Sequence, residues 1–155
     1  MTAGLMALLA ALAVAVAAGL CWRRANGRIR GVGPAAGPGP SAAQAAAGQP
    51  AAVLTAAQLG QPLGERATLV QFSTAFCAPC RATRRILSEV AGMVDGVTHA
   101  EIDAEAHLDL VRALGILRTP TVLVVGPDGR IAKRASGQPR KADVIAALGQ
   151  VVTPA

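Results

Sequence analysis

From residue 51 onward, apolar residues recur with the two spacings that distinguish strands from helices. The predicted strands are Ala67–Ser73, Val97–Asp103, Thr121–Val125 and Arg130–Ala135, the last two joined by a turn at 127–129. The predicted helices are a short one capped by Thr55, one over Arg81–Ala91, one from Leu108 to Gly115, and one over Ala142–Val151. In the last helix we expect Val144, Ile145, Leu148 and Val151 to face inward. This alternation of strands and helices indicates an α/β domain, with Ala67–Ser73 as a central strand because it is almost entirely apolar.

The N-terminal stretch 3–22 is different, because it carries no charged residue. About 20 consecutive apolar residues are long enough to cross a bilayer as a helix. A cleaved signal peptide fits less well, since no positive charge precedes the apolar run. A lipoprotein site at Cys21 also fits poorly, because Leu20 rather than a small residue precedes it. The sequence therefore predicts an uncleaved transmembrane anchor over 3–22.

Arginines follow this stretch and none precedes it; the four are Arg23, Arg24, Arg28 and Arg30. Positive residues flanking a membrane span favour the cytoplasmic side. We therefore expect a single-pass protein of the cell membrane, with its C-terminal domain in the cytoplasm. The chain then divides into three parts: the anchor 3–22, a basic juxtamembrane segment with a Gly/Pro/Ala-rich flexible linker at 23–50, and a folded domain at 51–155.

The positive charge of the chain is concentrated next to the predicted anchor. The chain has 15 basic and 9 acidic residues, and without the four arginines 11 basic residues remain against 9 acidic ones. Aromatic residues make up 2% of the sequence, so few side chains are available to stack on bases. A nucleic-acid partner is therefore disfavoured.

The chemistry is suggested by Cys77 and Cys80, which stand two residues apart between the strand Ala67–Ser73 and the next helix. Two thiols so placed can close and reopen a disulfide, which is the basis of thiol–disulfide exchange. A pair of buried thiols and half of a metal site are the alternatives. A structural zinc site is disfavoured, since His99 and His107 form no second ligand pair with recognisable spacing. We therefore expect no metal and no cofactor beyond the cysteine pair.

The two cysteines are expected to differ in reactivity. A cysteine at a helix N-terminus is favoured as the thiolate by unpaired backbone N–H groups and by the helix dipole. Cys77 lies at the start of the predicted helix and is the better nucleophile, whereas Cys80 lies one turn inside and is the resolving thiol. Pro79 suits the first helical turn, where its missing N–H group is not needed.

Several motifs, in order and spacing, make the region of about 53–152 resemble the thioredoxin family. They are Leu69–Arg81 with the two cysteines, Glu101-Ile102-Asp103, Gly115–Leu123 with Thr119-Pro120, Asp128-Gly129, and Gly137. The resemblance implies a thioredoxin-like fold, a central mixed β-sheet flanked by helices. It also implies a cis peptide bond at Thr119-Pro120, beside the cysteines, and a substrate groove lined by Phe76, Ala78, Pro79, Thr119 and Pro120. From the residues alone, the favoured interpretation of Pro120 is an ordinary proline at the start of a strand.

The sequence departs from the family pattern at three positions. Phe76 replaces the usual Trp before the first cysteine, and Ala78 replaces a common Gly. Gln71 stands where the family typically keeps a buried Asp that moves a proton to and from the resolving thiol. Because Gln does not titrate, that proton relay is missing or replaced. His99 is a candidate substitute, since His titrates near neutral pH, but a plain polar strand residue is the favoured interpretation.

The function predicted from these observations is thiol–disulfide oxidoreductase, most simply the reduction of protein disulfides by Cys77 and Cys80. The partners expected are protein disulfide substrates, a dithiol or reductase that donates electrons, and the membrane. A domain facing outward could instead be a disulfide oxidant or isomerase. A non-catalytic interaction module using the Pro120 groove is a further alternative, and a thiol peroxidase is weaker because no separate peroxidatic signature is present.

Overall fold

The computed structural model describes residues 2–25, 27–31 and 53–152. The helices in these ranges are α1 (Thr2–Ala25), α2 (Ala56–Leu59), α3 (Ala78–Ala91), α4 (Leu108–Ala113) and α5 (Lys141–Val152). The strands are β1 (Arg30–Gly31), β2 (Ala67–Ser73), β3 (Val97–Asp103), β4 (Thr121–Val125) and β5 (Ile131–Ser136). The predicted strands over β2, β3 and β4 agree with the structure to the residue, and β5 is shifted by one.

The strands form one mixed sheet in the order β1-β5-β4-β2-β3. Strand β2 pairs in parallel with β3 and antiparallel with β4. All seven residues of β2 are buried, as expected for a strand with neighbours on both edges and helices over both faces. The predicted α/β fold with a central mixed sheet is confirmed, and β2 is the strand that leads directly to the two cysteines.

Each face of the sheet has its own hydrophobic core. Successive side chains of a strand point to opposite faces, so neighbouring residues of β2 belong to different cores. Leu69 packs in the core under α3 and α5, and Phe72 packs in the core on the α2 and α4 side. Gln71, two residues after Leu69, is therefore directed to the face that α3 covers.

The helices differ from prediction at their ends and at one position expected to be buried: α4 ends at Ala113, and α5 spans Lys141–Val152. Helix α3 begins at Ala78 rather than at Arg81, because Cys77 acts as its N-cap and Pro79 lies in its first turn. In α5, Val144 and Leu148 are buried as predicted, but Ile145 is 43% exposed, so the expectation that it faces inward is wrong. Ile145 follows Val144 by about 100° around the helix, which turns it away from the sheet.

Strand β1 was not predicted, since Arg30 and Gly31 fall inside the segment expected to be a basic tether. They pair antiparallel with Arg134 and Lys133 of β5. The preceding backbone is also attached, because the N–H of Gly27 donates to the carbonyl oxygen of Ser136 at 3.0 Å. This segment thus adds a fifth strand at the open edge of β5. The remainder of the predicted linker, from residue 32 to 50, lies outside the described residues.

The prediction of a transmembrane anchor needs correction. Residues 3–22 do lie in the helix α1, but within the described part of the chain no helix has the length and apolar character that crossing a membrane requires. A span needs about 20 consecutive apolar residues. The predicted location in the cell membrane, with the domain on its cytoplasmic side, is therefore wrong, and the predicted anchor and membrane partner are not supported.

Candidate functional site

The two cysteines lie where β2 passes into α3. Strand β2 ends at Ser73, a short turn follows, and Cys77 caps the helix with extended backbone angles. Cys77 and Cys80 are joined by a disulfide, with their Cα atoms 5.1 Å apart. The spacing therefore does bring the two sulfur atoms together, as thiol–disulfide exchange requires.

The two sulfur atoms have different surroundings. Cys77 is partly exposed, and its Sγ accepts a hydrogen bond from the backbone N–H of Cys80 at 3.1 Å. Cys80 is 1% exposed and lies in the first turn of α3. A backbone N–H group at a helix N-terminus stabilises negative charge, so the arrangement favours a thiolate on Cys77 once the disulfide is reduced.

A second loop lies beside the cysteines. The Thr119–Pro120 peptide bond is cis, as the resemblance implied. The hydroxyl groups of Thr119 and Thr74 are 3.2 Å apart, which joins this loop to the turn before Cys77. On the other side, the N–H of Gly137 donates to the carbonyl oxygen of Pro120 at 2.7 Å. Three chain segments that are distant in sequence therefore meet at the disulfide.

Two large apolar side chains project from the edge of this site. Phe76 is 100% exposed and directly precedes Cys77, and Leu117 is 94% exposed and lies two residues before Thr119. Ala78 and Pro79 are exposed as well, so the surface around Cys77 is apolar. Leu117 was not singled out in the sequence, although an apolar residue this close to the Thr-Pro motif was a usable signal.

Gln71 lies directly under the cysteines. Its side chain is fully buried, and its Nε2 donates to Ser73 Oγ at 2.7 Å and to the carbonyl oxygen of Cys80 at 2.9 Å. Its Oε1 is buried without a hydrogen-bond partner among the described residues. The amide therefore holds the backbone of Cys80, and its own oxygen has no donor among the described residues.

Glu101 is a neighbour of Gln71 that the sequence did not identify as part of the site. The two residues pair across β2 and β3, and Gln71 Nε2 lies 3.5 Å from Glu101 Oε1. Arg84 of α3 binds both carboxylate oxygens of Glu101. Burial opposes ionisation of this carboxyl, but hydrogen bonds from Arg84 and Ser73 and the nearby positive charge outweigh it and lower its pKa.

His99 lies on the same face of the sheet, next to Leu69 on the neighbouring strand. Its Nδ1 is 3.1 Å from Ser88 Oγ, and its Nε2 is buried without a partner among the described residues. The pKa of His99 is lowered, mainly because burial disfavours its charged form. The negative charge of Glu101 raises this pKa, and the positive charge of Arg84 lowers it. No hydrogen bond in the described part of the chain joins His99 to Gln71 or to either cysteine.

Within the described residues, the remaining candidates make no hydrogen bond to the cysteine pair. Cys21 is exposed on α1, and His107 is exposed with its Nδ1 3.0 Å from the carbonyl oxygen of Asp103. Within the described ranges, no three His, Cys, Asp or Glu side chains are grouped so that they could hold a metal ion.

Comparisons with known proteins agree with this geometry. The model of the thioredoxin family matches residues 51–150. A thioredoxin from Alicyclobacillus acidocaldarius is 33% identical over 101 residues, which cover 64% of this chain and 95% of that protein. A thioredoxin from Mycobacterium tuberculosis is 31% identical over 85 residues, 54% of this chain and 72% of that protein.

Solved structures show the same likeness. A chloroplastic thioredoxin z superposes with a TM-score of 0.51 at 29% identity, covering 56% of this chain and 79% of that one. A mutant thioredoxin from Halobacterium salinarum has a TM-score of 0.54 at 19% identity, covers 59% and 79% of the two chains, and supports the fold alone. Thioredoxins act on protein disulfides through a redox-active cysteine pair, and this chain carries that pair as a disulfide at the expected position. The chain is a thiol–disulfide oxidoreductase and belongs to the thioredoxin family.

Proposed function

We propose that the chain reduces protein disulfides, with Cys77 as the attacking thiol and Cys80 as the resolving thiol. The observation that supports this assignment is the asymmetry of the pair. Cys77 is accessible and its Sγ accepts the N–H of Cys80, whereas Cys80 is 1% exposed. A substrate can reach the first sulfur atom but not the second, so the mixed disulfide forms on Cys77.

The reaction then proceeds in two exchanges. The Cys77 thiolate attacks one sulfur of the substrate disulfide, forms a mixed disulfide and releases the other substrate sulfur as a thiolate, which takes up a proton. Cys80 loses its proton and attacks Cys77 Sγ, which releases the second substrate sulfur. The substrate gains two electrons and two protons, and the enzyme is left with the Cys77–Cys80 disulfide. A dithiol donor that reduces this disulfide completes the cycle.

The groove for the substrate is formed by Phe76, Ala78, Pro79, Thr119 and Pro120. The contact between Thr74 and Thr119 holds the two sides of this groove together, and the apolar surface beside Cys77 matches the apolar part of a polypeptide. Burial of apolar surface supplies the binding energy, and it excludes water from the reacting sulfur atoms.

We infer that Gln71 and His99 have different roles in the removal of the proton from Cys80. Gln71 does not titrate, so it positions Cys80 through the carbonyl oxygen it binds. His99 is the titratable side chain of the same face, and its lowered pKa keeps it neutral and able to accept a proton near pH 7. Gln71 Oε1 and His99 Nε2 are both buried without a hydrogen-bond partner among the described residues. A proton-carrying group between Cys80 and His99 would be oriented by these two atoms.

Serine variants of the cysteines test the assignment. Cys77→Ser should abolish reduction of a disulfide-bonded protein by the enzyme with dithiothreitol as donor. Cys80→Ser should accumulate a mixed disulfide, visible as a covalent adduct by mass spectrometry, because resolution is blocked. Cys21→Ser, the matched control, should retain full activity. If the Cys77→Ser variant reduced disulfides faster than dithiothreitol alone, the assignment would be wrong; a wild-type protein that bound a partner without accelerating any disulfide reduction would favour an interaction module.

A further inference from the structure

The three segments that meet around Cys77 contain no carboxylate. Between Glu65 and Glu89, between Asp109 and Asp128, and between Asp128 and Asp143, the sequence has no Asp or Glu. These stretches contain the turn and first half of α3, the loop with the cis peptide bond, and the loop after β5. The same stretches carry eleven basic residues: Arg66, Arg81, Arg84, Arg85, Arg112, Arg118, Arg130, Lys133, Arg134, Arg140 and Lys141.

Two of these basic residues flank the groove without a carboxylate partner. Arg81 directly follows Cys80, and Arg118 directly precedes Thr119; both are exposed. In the described ranges, Arg84 is paired with Glu101 and Arg140 with Asp143, but neither Arg81 nor Arg118 is in an ion pair. Their charges therefore remain available to a bound molecule.

The guanidinium of Arg118 is also held in place. Its Nη2 donates to the carbonyl oxygen of Ser136 at 2.8 Å, and the next residue, Gly137, donates its N–H to Pro120. This keeps the charge on the side of the groove that β4 and β5 support. A fixed charge loses less conformational entropy on binding than a free one.

The opposite side of the site is acidic. Asp103 ends β3, and Glu105 follows it; both are exposed at the edge where β2 leads into the cysteine turn. Since β3 and β4 lie on opposite sides of β2, the groove has a negative margin at β3 and a positive margin at Arg118. A charged substrate therefore binds across Cys77 in a preferred orientation.

We propose that the preferred substrates are protein disulfides in which acidic residues flank the attacked cysteine next to an apolar residue. The apolar residue packs on Phe76 and Leu117, and the carboxylates pair with Arg81 and Arg118. This inference rests on the proposed reductase function and specifies the substrate class of the same site. Charge complementarity at an accessible margin acts chiefly on the rate of association and on specificity.

The test uses three peptide disulfides that differ only beside the cysteine, where each has two aspartates, two serines or two lysines next to a leucine. The reduced full-length protein is mixed with each peptide, and the second-order rate constant of single-turnover reduction is measured. At low salt we expect the aspartate peptide to react about three- to tenfold faster than the lysine peptide. In 0.5 M salt the difference should largely disappear, because exposed charges are then screened.

Charge-reversal variants identify the residues that cause the preference for the aspartate peptide. Arg81→Glu and Arg118→Glu should each lower the rate for the aspartate peptide and leave that for the serine peptide nearly unchanged. Arg66→Glu makes the same charge change on an exposed residue at the far end of β2, and it should leave all three rates unchanged. Equal rates for the three peptides with wild-type enzyme would overturn the substrate proposal and leave the reductase function intact. Failure to reduce any peptide would instead overturn the reductase function.

Discussion

Cys80 is fixed by an amide rather than by an ionised group. Gln71 donates to its carbonyl oxygen, and the carboxylate of Glu101, 3.5 Å from Gln71 Nε2, is bound by Arg84. Glu101 has a lowered pKa and stays ionised near neutral pH, so it is a poor acceptor for a thiol proton. On the same face, burial lowers the pKa of His99, so that its imidazole is neutral at pH 7.

The burial of His99 predicts a pH dependence of stability. Because its folded pKa lies below 6.5, the unfolded chain binds more protons than the folded protein between the two values. The free energy of unfolding should therefore fall as the pH is lowered from 7 to 5, whereas loss of the Glu101 contribution begins below about 4.5.

In the His99→Gln variant, the free energy of unfolding should fall less between pH 7 and pH 5, as measured by urea unfolding at pH 7, 6 and 5. His107→Gln is the matched control, since His107 is exposed. An identical slope for wild type and His99→Gln would show that His99 does not sense pH in this way.

Strand β1 makes the segment before residue 32 part of the sheet. Besides its two paired residues, Ile29 packs against the core under α3 and α5, and Gly27 is buried. The segment thereby covers the part of the β5 edge that lies near the groove. The backbone groups of that part are no longer free to pair with another chain. Ser136 accepts both the Gly27 N–H and the Arg118 guanidinium, so this edge and the groove margin share one carbonyl oxygen.

Gly27→Ala tests the attachment of this strand. Gly27 has a φ of 77°, and a Cβ atom there would lie 1.9 Å from the carbonyl oxygen of Gln138. We expect the free energy of unfolding to fall by about 1 kcal/mol or more, and the amides of 28–31 to exchange hydrogen faster. Gly149→Ala is the control, because a Cβ there meets nothing within 4 Å in α5; it should stabilise the protein by about 1 kcal/mol. Unchanged exchange in the Gly27→Ala variant would show that β1 tolerates a side chain at this position.

At the scale of the whole molecule, the sequence predicted those structural features that a single local sequence pattern determines. The apolar run of β2 indicated its bounds and the Cys-x-x-Cys spacing located the redox pair, whereas the cis peptide bond at Thr119–Pro120 followed only from the resemblance to the thioredoxin family. Features that depend on register between distant strands were not predictable. Glu101 meets Gln71 thirty residues away only because β2 and β3 pair in parallel.

Other errors came from context that the sequence pattern lacks. A two-residue strand such as β1 has no periodicity to detect, and it forms because β5 offers an open edge. The apolar composition of 3–22 suggested a membrane span, but no described helix has the required length and apolar character. Ile145 shares the apolar stripe of α5 in sequence, but lies outside the arc that the sheet covers.

The reduction potential of the Cys77–Cys80 pair tests the central claim most directly, measured on the full chain in dithiothreitol buffers of known poise. A protein disulfide reductase should give a value near about −270 mV, as thioredoxin does. A value near about −120 mV, typical of a strong oxidant, would contradict the proposed direction of electron flow. Failure of the two thiols to form a disulfide under any condition would contradict the redox function altogether.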